Sequence, residues 1–348
     1  MAWKDDVSAA DEGLHPRTTD GWWNESTYFG FVSTEHNIGG MIYYYFRPNQ
    51  NQFMGGPMIW DPSGDEIGTC RHWGWNWHVP LHEGADIFDF SLENGFSVRT
   101  IEPQVSYHVL YDAGGCQMDL VYTAAREPYY MKMDTPEVNA GMIDLVQAVD
   151  GEITTGHYEQ YGYMSGTITL DGEVMRLNDV ATLRDRTWGP RAVTVPMVKA
   201  RTGYQFGVGS PDNAFHVFSV ADRPWEEDPV IDMVDNVTSG FYVRDGVLGQ
   251  LVSGTRRCVE RGPDGRPIRE LVEATDHLGR TLYAEGRNQD CLKWPGVYGD
   301  FMIFNHNQRW DFDGFTDAPG QLNDYMMCRQ YRRFMLSQNR TPMLGSAG

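Results

Sequence analysis

Residues 157–191 read HYEQYGYMSGTITLDGEVMRLNDVATLRDRTWGPR. Gly166 to Leu170 is a strand-like run, and the Asp171-Gly172 pair that follows it tolerates the positive φ of a tight hairpin turn. The segment therefore predicts antiparallel strands whose ends carry charge. Arg184-Asp185-Arg186-Thr187-Trp188-Gly189-Pro190-Arg191 holds an acid, three guanidinium groups and an indole within eight residues, and His157-Tyr158-Glu159-Gln160 supplies a second acid. In an otherwise aromatic chain these are the two places where ionisable groups crowd together, and chemistry is expected there.

The same grammar extends in both directions. Met41 to Phe46, Val98 to Tyr111 (interrupted by Pro103), Met118 to Thr123, Tyr204 to Val208, Phe215 to Val220, Phe241 to Val243 and Leu271 to Ala274 all read as strands. Asp245-Gly246 and Asp264-Gly265 repeat the hairpin signal. Helical sequence is scarce; Leu322 to Leu336, free of Gly and Pro, predicts one C-terminal helix. Many short strands joined by tight turns imply barrels or sandwiches. With 348 residues there is chain enough for two cores. The expectation is an all-β protein of two tandem antiparallel β-barrel or sandwich domains, 1–195 and 196–348, with a short helix at the end.

Composition limits the function. A net charge of -20 disfavours nucleic acid, whose phosphates call for clustered Lys and Arg, and it disfavours an anionic membrane surface equally. The five cysteines are scattered and form no C-x-x-C, so neither a zinc knuckle nor a redox pair is expected. Met1 to Asp6 has no apolar leader and no run approaches membrane-spanning length, which gives the expectation of a cytoplasmic protein without membrane insertion. Motifs for a serine nucleophile elbow, a P-loop or a dinucleotide fold do not occur.

Three constellations carry candidate chemistry. Asp185, flanked by Arg184, Arg186 and Arg191, reads either as an acid–base group whose pKa the guanidinium groups depress or as a structural ion pair. On a strand, His157 and Glu159 would share one face and Tyr158 and Gln160 the other; a buried His–Glu pair can share a proton, whereas an outer face would merely be polar. In Arg71-His72-Trp73-Gly74-Trp75-Asn76-Trp77-His78, alternation sets Trp73, Trp75 and Trp77 against His72, Asn76 and His78. Such an indole stripe is core or the wall of an apolar ligand site, and its faces stabilise a passing cation by ~0.5–2 kcal/mol each. His72 and His78 lack a third ligand at suitable spacing, so no metal is expected. His216, His306 with Asn305 and Asn307, and Asp300 are weaker candidates from the C-terminal half.

The order His-Tyr-Glu-Gln, strand, Asp-Gly hairpin, Arg-Asp-x-x-Trp-Gly-x-Arg over 157–191 resembles the lipocalin-like hydratase superfamily, which includes carotenoid 1,2-hydratases and kievitone hydratase. The usual motif reads Arg-Asp-His-Ser-Trp-Gly-x-Arg; Arg186 and Thr187 stand here for its His and Ser, which leaves the role of that His in proton handling without a counterpart. The resemblance implies two lipocalin-like domains with a site near their junction. It also implies hydration of a trisubstituted alkene, or dehydration of a tertiary alcohol, with no metal or organic cofactor, and by position it points to Glu159 and Asp185.

Combined with the residue reading, this gives a concrete expectation. Glu159, partnered by His157, protonates an isoprenoid-type substrate. Asp185, kept ionised by Arg184 or Arg191, stabilises the resulting carbocation. Trp73, Trp75, Trp77, Tyr158, Trp188 and Arg191 are the candidate binding residues. The partner is an apolar small molecule, and a homo-oligomer is compatible with the sequence. A non-catalytic carrier of an apolar molecule and a cyclase of secondary metabolism are the alternatives.

Overall fold

The structure is a computed structural model that describes residues 7–16, 19–131, 148–149, 152–153, 155–191, 200–230, 234–296 and 300–338. The first sheet opens with β1 (Trp23–Ser33), β2 (Ile38–Arg47), β3 (Gln52–Trp60), β4 (His72–Trp73), β5 (Asn76–Pro80), β6 (Asp89–Ser91), β7 (Ser97–Glu102), β8 (Ser106–Ala113), β9 (Cys116–Ala124) and β10 (Tyr129–Tyr130). A separate ribbon, β11 (Ala148–Val149) and β12 (Glu152–Ile153), precedes its two longest strands, β13 (Gly156–Leu170) and β14 (Glu173–Pro190). The second sheet contains β15 (Thr202–Ser210), β16 (Asn213–Ala221), β17 (Val234–Arg244), β18 (Val247–Arg261), β19 (Pro267–Asp276), β20 (Thr281–Asn288), β21 (Leu292–Pro295), β22 (Phe301–Phe312) and β23 (Phe315–Met327). Helix α1 (Cys328–Ser337) follows.

The protein is all-β, and the Asp-Gly pairs sit where hairpins need them. Asp171 and Gly172 (φ 48° and 88°) join β13 to β14, and Asp245 and Gly246 (52° and 75°) join β17 to β18. Asp313-Gly314 makes a further such turn between β22 and β23. The predicted helix at 322–336 is corrected. Leu322 to Met327 finish β23, where Leu322 to Tyr325 pair with both β15 and β22 and Met326 and Met327 with β22, and only Cys328–Ser337 is helical. Strand pairing on both sides outweighs a local helical pattern. The boundary expected near residue 195 falls within 192–199, outside the described residues.

The first sheet has twelve strands and runs β4-β3-β2-β1-β14-β13-β9-β8-β7-β6 along its main path. It rolls round an aromatic core: Phe46 and Phe53 from one flank meet Phe90 from the other with ring centroids 5.5 and 5.4 Å apart. In the second sheet β20 pairs with β22, which closes eight strands into a barrel with β21 attached outside the ring. Among the described residues no helix is long and apolar enough to cross a membrane.

The outer faces of the roll and the barrel pack on each other through one shared core that includes Tyr28, Met41, Met58, Tyr129 and Leu183 from the roll and Tyr204, Phe206, Phe218 and Phe241 from the barrel. Close approach at this seam depends on small residues. A Cβ on Gly39 would stand 2.1 Å from Asn307 Oδ1, and one on Gly30 2.4 Å from Gln321 Oε1. Directional bonds fix the docking: the Tyr28 hydroxyl donates to Gln321 Oε1 (2.7 Å), Gln321 Nε2 donates to the Phe31 carbonyl (2.8 Å), and Trp60 Nε1 donates to Asp290 Oδ1 (3.0 Å).

Within the second barrel, Arg256 shares a face with the apolar cluster around Val272. It donates to Asp235 Oδ2 (2.9 Å), to Asp324 Oδ1 (2.8 Å) and to Glu270, all of them buried. Removing one partner of such a network strands the opposite charges in a dry interior. Arg256→Ala is therefore expected to cost about 3–5 kcal/mol of unfolding free energy, read by chemical denaturation; a change below about 1 kcal/mol would contradict the assignment.

Candidate active site

Directly opposed positions on β10, β13, β14 and β1 set Tyr129, Glu159, Asp185 and Tyr28 in one row across the seam face of the roll. In the adjacent row His157 faces Thr187. Opposed residues on antiparallel strands carry their Cβ atoms about 4.5–5.5 Å apart, so Glu159 and Asp185 are side-by-side carboxyl groups. Glu159 has no exposed surface.

A β-bulge creates this juxtaposition. From the Asp171-Gly172 turn the pairing runs Leu170–Glu173 to Gly166–Leu177, then shifts by one residue to Met164–Val180. The extra residue lies at Asn178-Asp179. Asp179 has φ 48°, its carboxyl accepts from the Ser165 hydroxyl (2.7 Å), and its N–H donates to Ser165 Oγ (2.9 Å). Before the bulge, Met175 and Leu177 point into the roll; after it, Ala181 and Leu183 point into the seam. An unbulged hairpin would set Glu159 against Arg184, whereas the inserted residue brings in Asp185.

Glu159 is held from both sides. His157 Nε2 lies 2.5 Å from Glu159 Oε1, and His157 Nδ1 lies 2.5 Å from Thr187 Oγ1. The Tyr204 hydroxyl, from the second barrel, donates to Glu159 Oε2 (2.5 Å). His216, also from the barrel, has Nε2 at 3.9 Å from Glu159 Oε1, and neither ring nitrogen has a hydrogen-bond partner. Asp185 Oδ1 is buried and likewise without a partner.

Burial drives the Glu159 carboxyl well above the usual carboxylate range, against the hydrogen bond from Tyr204. Burial pushes Asp185 up to about 7; His157 and Arg191 oppose this and Glu159 reinforces it. His157 is lowered to about 4 and His216 well below the usual imidazole value, both chiefly by burial. At neutral pH the pair thus retains a proton while both imidazoles are neutral.

These shifts correct the expectation that Arg184 keeps Asp185 ionised. Alternation turns Arg184 and Arg186 into the roll, where they pair with Glu12 and Glu25. Arg191, half-buried, is the guanidinium group whose charge opposes the rise at Asp185. Tyr158 and Trp188 also face the roll, in a cluster with Trp23, and are separated from the carboxyl pair by the sheet. Trp73 and Trp75 do reach the seam: they stack on each other (6.0 Å) and meet Trp294 at 5.5 and 5.8 Å. Trp75 also stacks on Tyr43 (6.0 Å), whose strand lies two strand spacings, about 10 Å, from that of Asp185. Trp77 continues the stripe but is 58% exposed. Among the weaker candidates, Asn305 joins the seam through Trp294 and Asn323, while Asp300 is a surface partner of Arg329. Tyr204 and Tyr28 had no sequence signal beyond an aromatic in a strand, and the acids for Arg184 and Arg186 were detectable only as a need for charge partners. An open groove of about 440 Å³ lined by Tyr111, Met118 and Thr167 is separate, eight residues or about 26 Å along β13 from Glu159.

Folding linked to the raised Asp185 pKa has a definite sign. The folded carboxyl binds its proton more tightly than the unfolded one, whose value is near 3.8. The stability this gives is complete below pH about 4 and is lost as pH rises toward 7. Asp185→Asn cannot ionise, so its stability relative to wild type should climb by about 1–3 kcal/mol between pH 4 and 8. Denaturant titrations at the two pH values that show a constant difference would place an ionised Asp185 in the folded protein.

A family described as "Domain of unknown function (DUF7064)" matches residues 8–316. The chain belongs to this family. No curated protein matches this DUF7064 member. Among solved structures it is similar to kievitone hydratase from Nectria haematococca, with 11% identity, 92% of this chain and 93% of that chain covered, and a TM-score of 0.55. It is also similar to an AttH candidate from Nitrosomonas europaea, with 13% identity, coverage of 87% and 92%, and a TM-score of 0.53. At these identities the likeness establishes the lipocalin-like fold of the DUF7064 chain.

Proposed function

We propose that this DUF7064 protein is a hydratase or dehydratase that works by general acid–base catalysis on an isoprenoid-type alkene or tertiary alcohol. One observation carries the reading: Glu159 and Asp185 occupy opposed positions on the seam face, Glu159 fully buried and Asp185 half-buried with its Oδ1 shielded, and burial raises both carboxyl groups so that a proton stays on the pair at neutral pH. Carboxyl groups on opposed positions resist double ionisation, and the proton retained there is available to a substrate carbon or a leaving hydroxyl.

Asp185 is the proton donor in this reading, because its Oδ1 is unpartnered whereas both Glu159 oxygens are engaged. Proton transfer from Asp185 to the alkene carbon leaves a tertiary cation. Trp73 and Trp75 supply π-faces on the same seam. Water held by the neutral, unpartnered His216 adds to the cation and passes its proton to that ring. His216 passes that proton to Glu159, whose Oε1 lies 3.9 Å from its Nε2, as Glu159 gives its own proton to Asp185; His157 and Thr187 hold the Glu159 carboxyl in place. Dehydration runs the same steps in reverse.

A carrier of apolar molecules would use the same aromatic wall, but would have no need of a proton held beside it. The test is incubation with prenylated phenols, acyclic terpene alkenes and tertiary terpene alcohols in ¹⁸O-labelled water, followed by mass spectrometry. Label in the product is expected. Binding without label would favour the carrier, and ring formation without label a cyclase.

A further inference from the structure

Arg184 is fully buried in the first roll and clamps a carboxylate that comes from outside the sheet. Its two terminal nitrogens donate to Glu12 Oε2 (3.0 Å) and Oε1 (3.1 Å). The Tyr158 hydroxyl adds a bond to Oε1 (2.5 Å), and the Tyr107 hydroxyl one to Oε2. The guanidinium carbon lies 4.6–5.9 Å from the rings of Tyr107, Phe88, Tyr158 and Tyr122. A planar fork, two phenols and aromatic walls make a geometry selective for one carboxylate.

Part of the cradle is held by bonds that do not involve Glu12. Gln160 Oε1 accepts from Arg184 Nε (3.2 Å) and from one terminal nitrogen (2.6 Å). Gln160 Nε2 is itself tied to the carbonyls of Gln104 (2.7 Å) and Arg126 (2.6 Å). All the cradle side chains belong to β8, β13 and β14 or pack on them, whereas Glu12 ends a short 3₁₀ turn, Ala9–Glu12, ahead of the first strand. Of the strap residues 7–16, Glu12 alone is buried. The strap is tied further by a bond from Arg186 to the Gly13 carbonyl (2.8 Å), one from the Leu14 N–H to Asp86 (2.9 Å), one from the His15 N–H to Glu25 Oε1 (2.9 Å), a contact of His15 Nδ1 with Glu25 Oε2 (3.2 Å), and the stacking of His15 on Trp188 (4.1 Å).

We propose that this cradle is a receptor for small monocarboxylates, and that Glu12 is its resident occupant in cis. A carboxylate added in trans then fills it whenever the side chain is removed, with a preference set by the length of the missing stem. Alanine at position 12 lacks one methylene and the carboxyl, which acetate replaces; glycine lacks one carbon more, which propionate replaces.

The test is thermal unfolding of the full chain carrying Glu12→Ala or Glu12→Gly, in sodium acetate, sodium propionate, acetamide or sodium chloride at matched concentration. Both variants should melt several degrees below wild type in chloride. Acetate should restore E12A and propionate should restore E12G, each saturably, while acetamide has no effect and wild type is indifferent to the anion. Glu12→Gln keeps the cradle filled, so it should lose stability without responding to acetate. If a variant cannot be recovered folded, its refolding yield in carboxylate against chloride reads the same claim. A wild-type melting point in E12A, or equal behaviour in acetate and chloride, would overturn the proposal.

Discussion

Glu159→Gln and Asp185→Asn should each lower turnover of a competent alkene or tertiary alcohol by about 10²–10⁴-fold, the range removed with a positioned acid or base. Both substitutions preserve shape, and neither leaves a buried charge, so the folded state should be kept. The loss should appear in kcat rather than in substrate affinity, because the amide still fills the seam but cannot deliver a proton. The double variant should be little worse than either single one, since the two groups serve one proton-transfer step and act as a unit. Wild-type activity in both single variants would remove the carboxyl pair from the mechanism, whatever the substrate.

The second large effect concerns register. Deleting Asp179 removes the inserted residue that shifts β14 by one position against β13. Every side chain from Ala181 to Pro190 would then change face. Arg184 and Arg186 would enter the seam without Glu12 and Glu25, while Asp185 would enter the roll. Unpaired buried charges cost several kcal/mol each, against a total stability of about 5–15 kcal/mol, so the deletion variant should not fold. Soluble protein with native near-ultraviolet circular dichroism would show that the bulge does not set the face. Asp179→Asn, which keeps a side chain tolerant of positive φ, should by contrast be mild.

This bulge also marks where the sequence stops being legible. The strands and the Asp-Gly hairpins were readable because alternation and turn chemistry are local. The indoles of Trp73, Trp75 and Trp77 do contact one another in succession, but Trp77 is 58% exposed and its ring also meets His78, which alternation set on the other side. Counting outward from Asp171-Gly172, however, sets Glu159 opposite Arg184, and no local signal announces the extra residue. The error propagates to charge: Arg184 looks like the partner of Asp185 in sequence, yet its partner is Glu12, 172 residues away. Tyr204 and His216 reach Glu159 only because a second barrel docks on the first, a long-range arrangement with no sequence period. Leu322 to Met327 failed for a related reason, since strand partners on either side overrode a helix-compatible pattern.

The proposed chemistry requires a proton on the Glu159–Asp185 pair at neutral pH, and infrared difference spectroscopy can observe it directly. The carboxylic-acid C=O band should be compared among wild type, Glu159→Gln and Asp185→Asn across a pH titration. A protonated band at pH 7 that Glu159→Gln diminishes is expected, with a second that titrates near 7 and is absent from Asp185→Asn. Two carboxylates already ionised by pH 5 would contradict it.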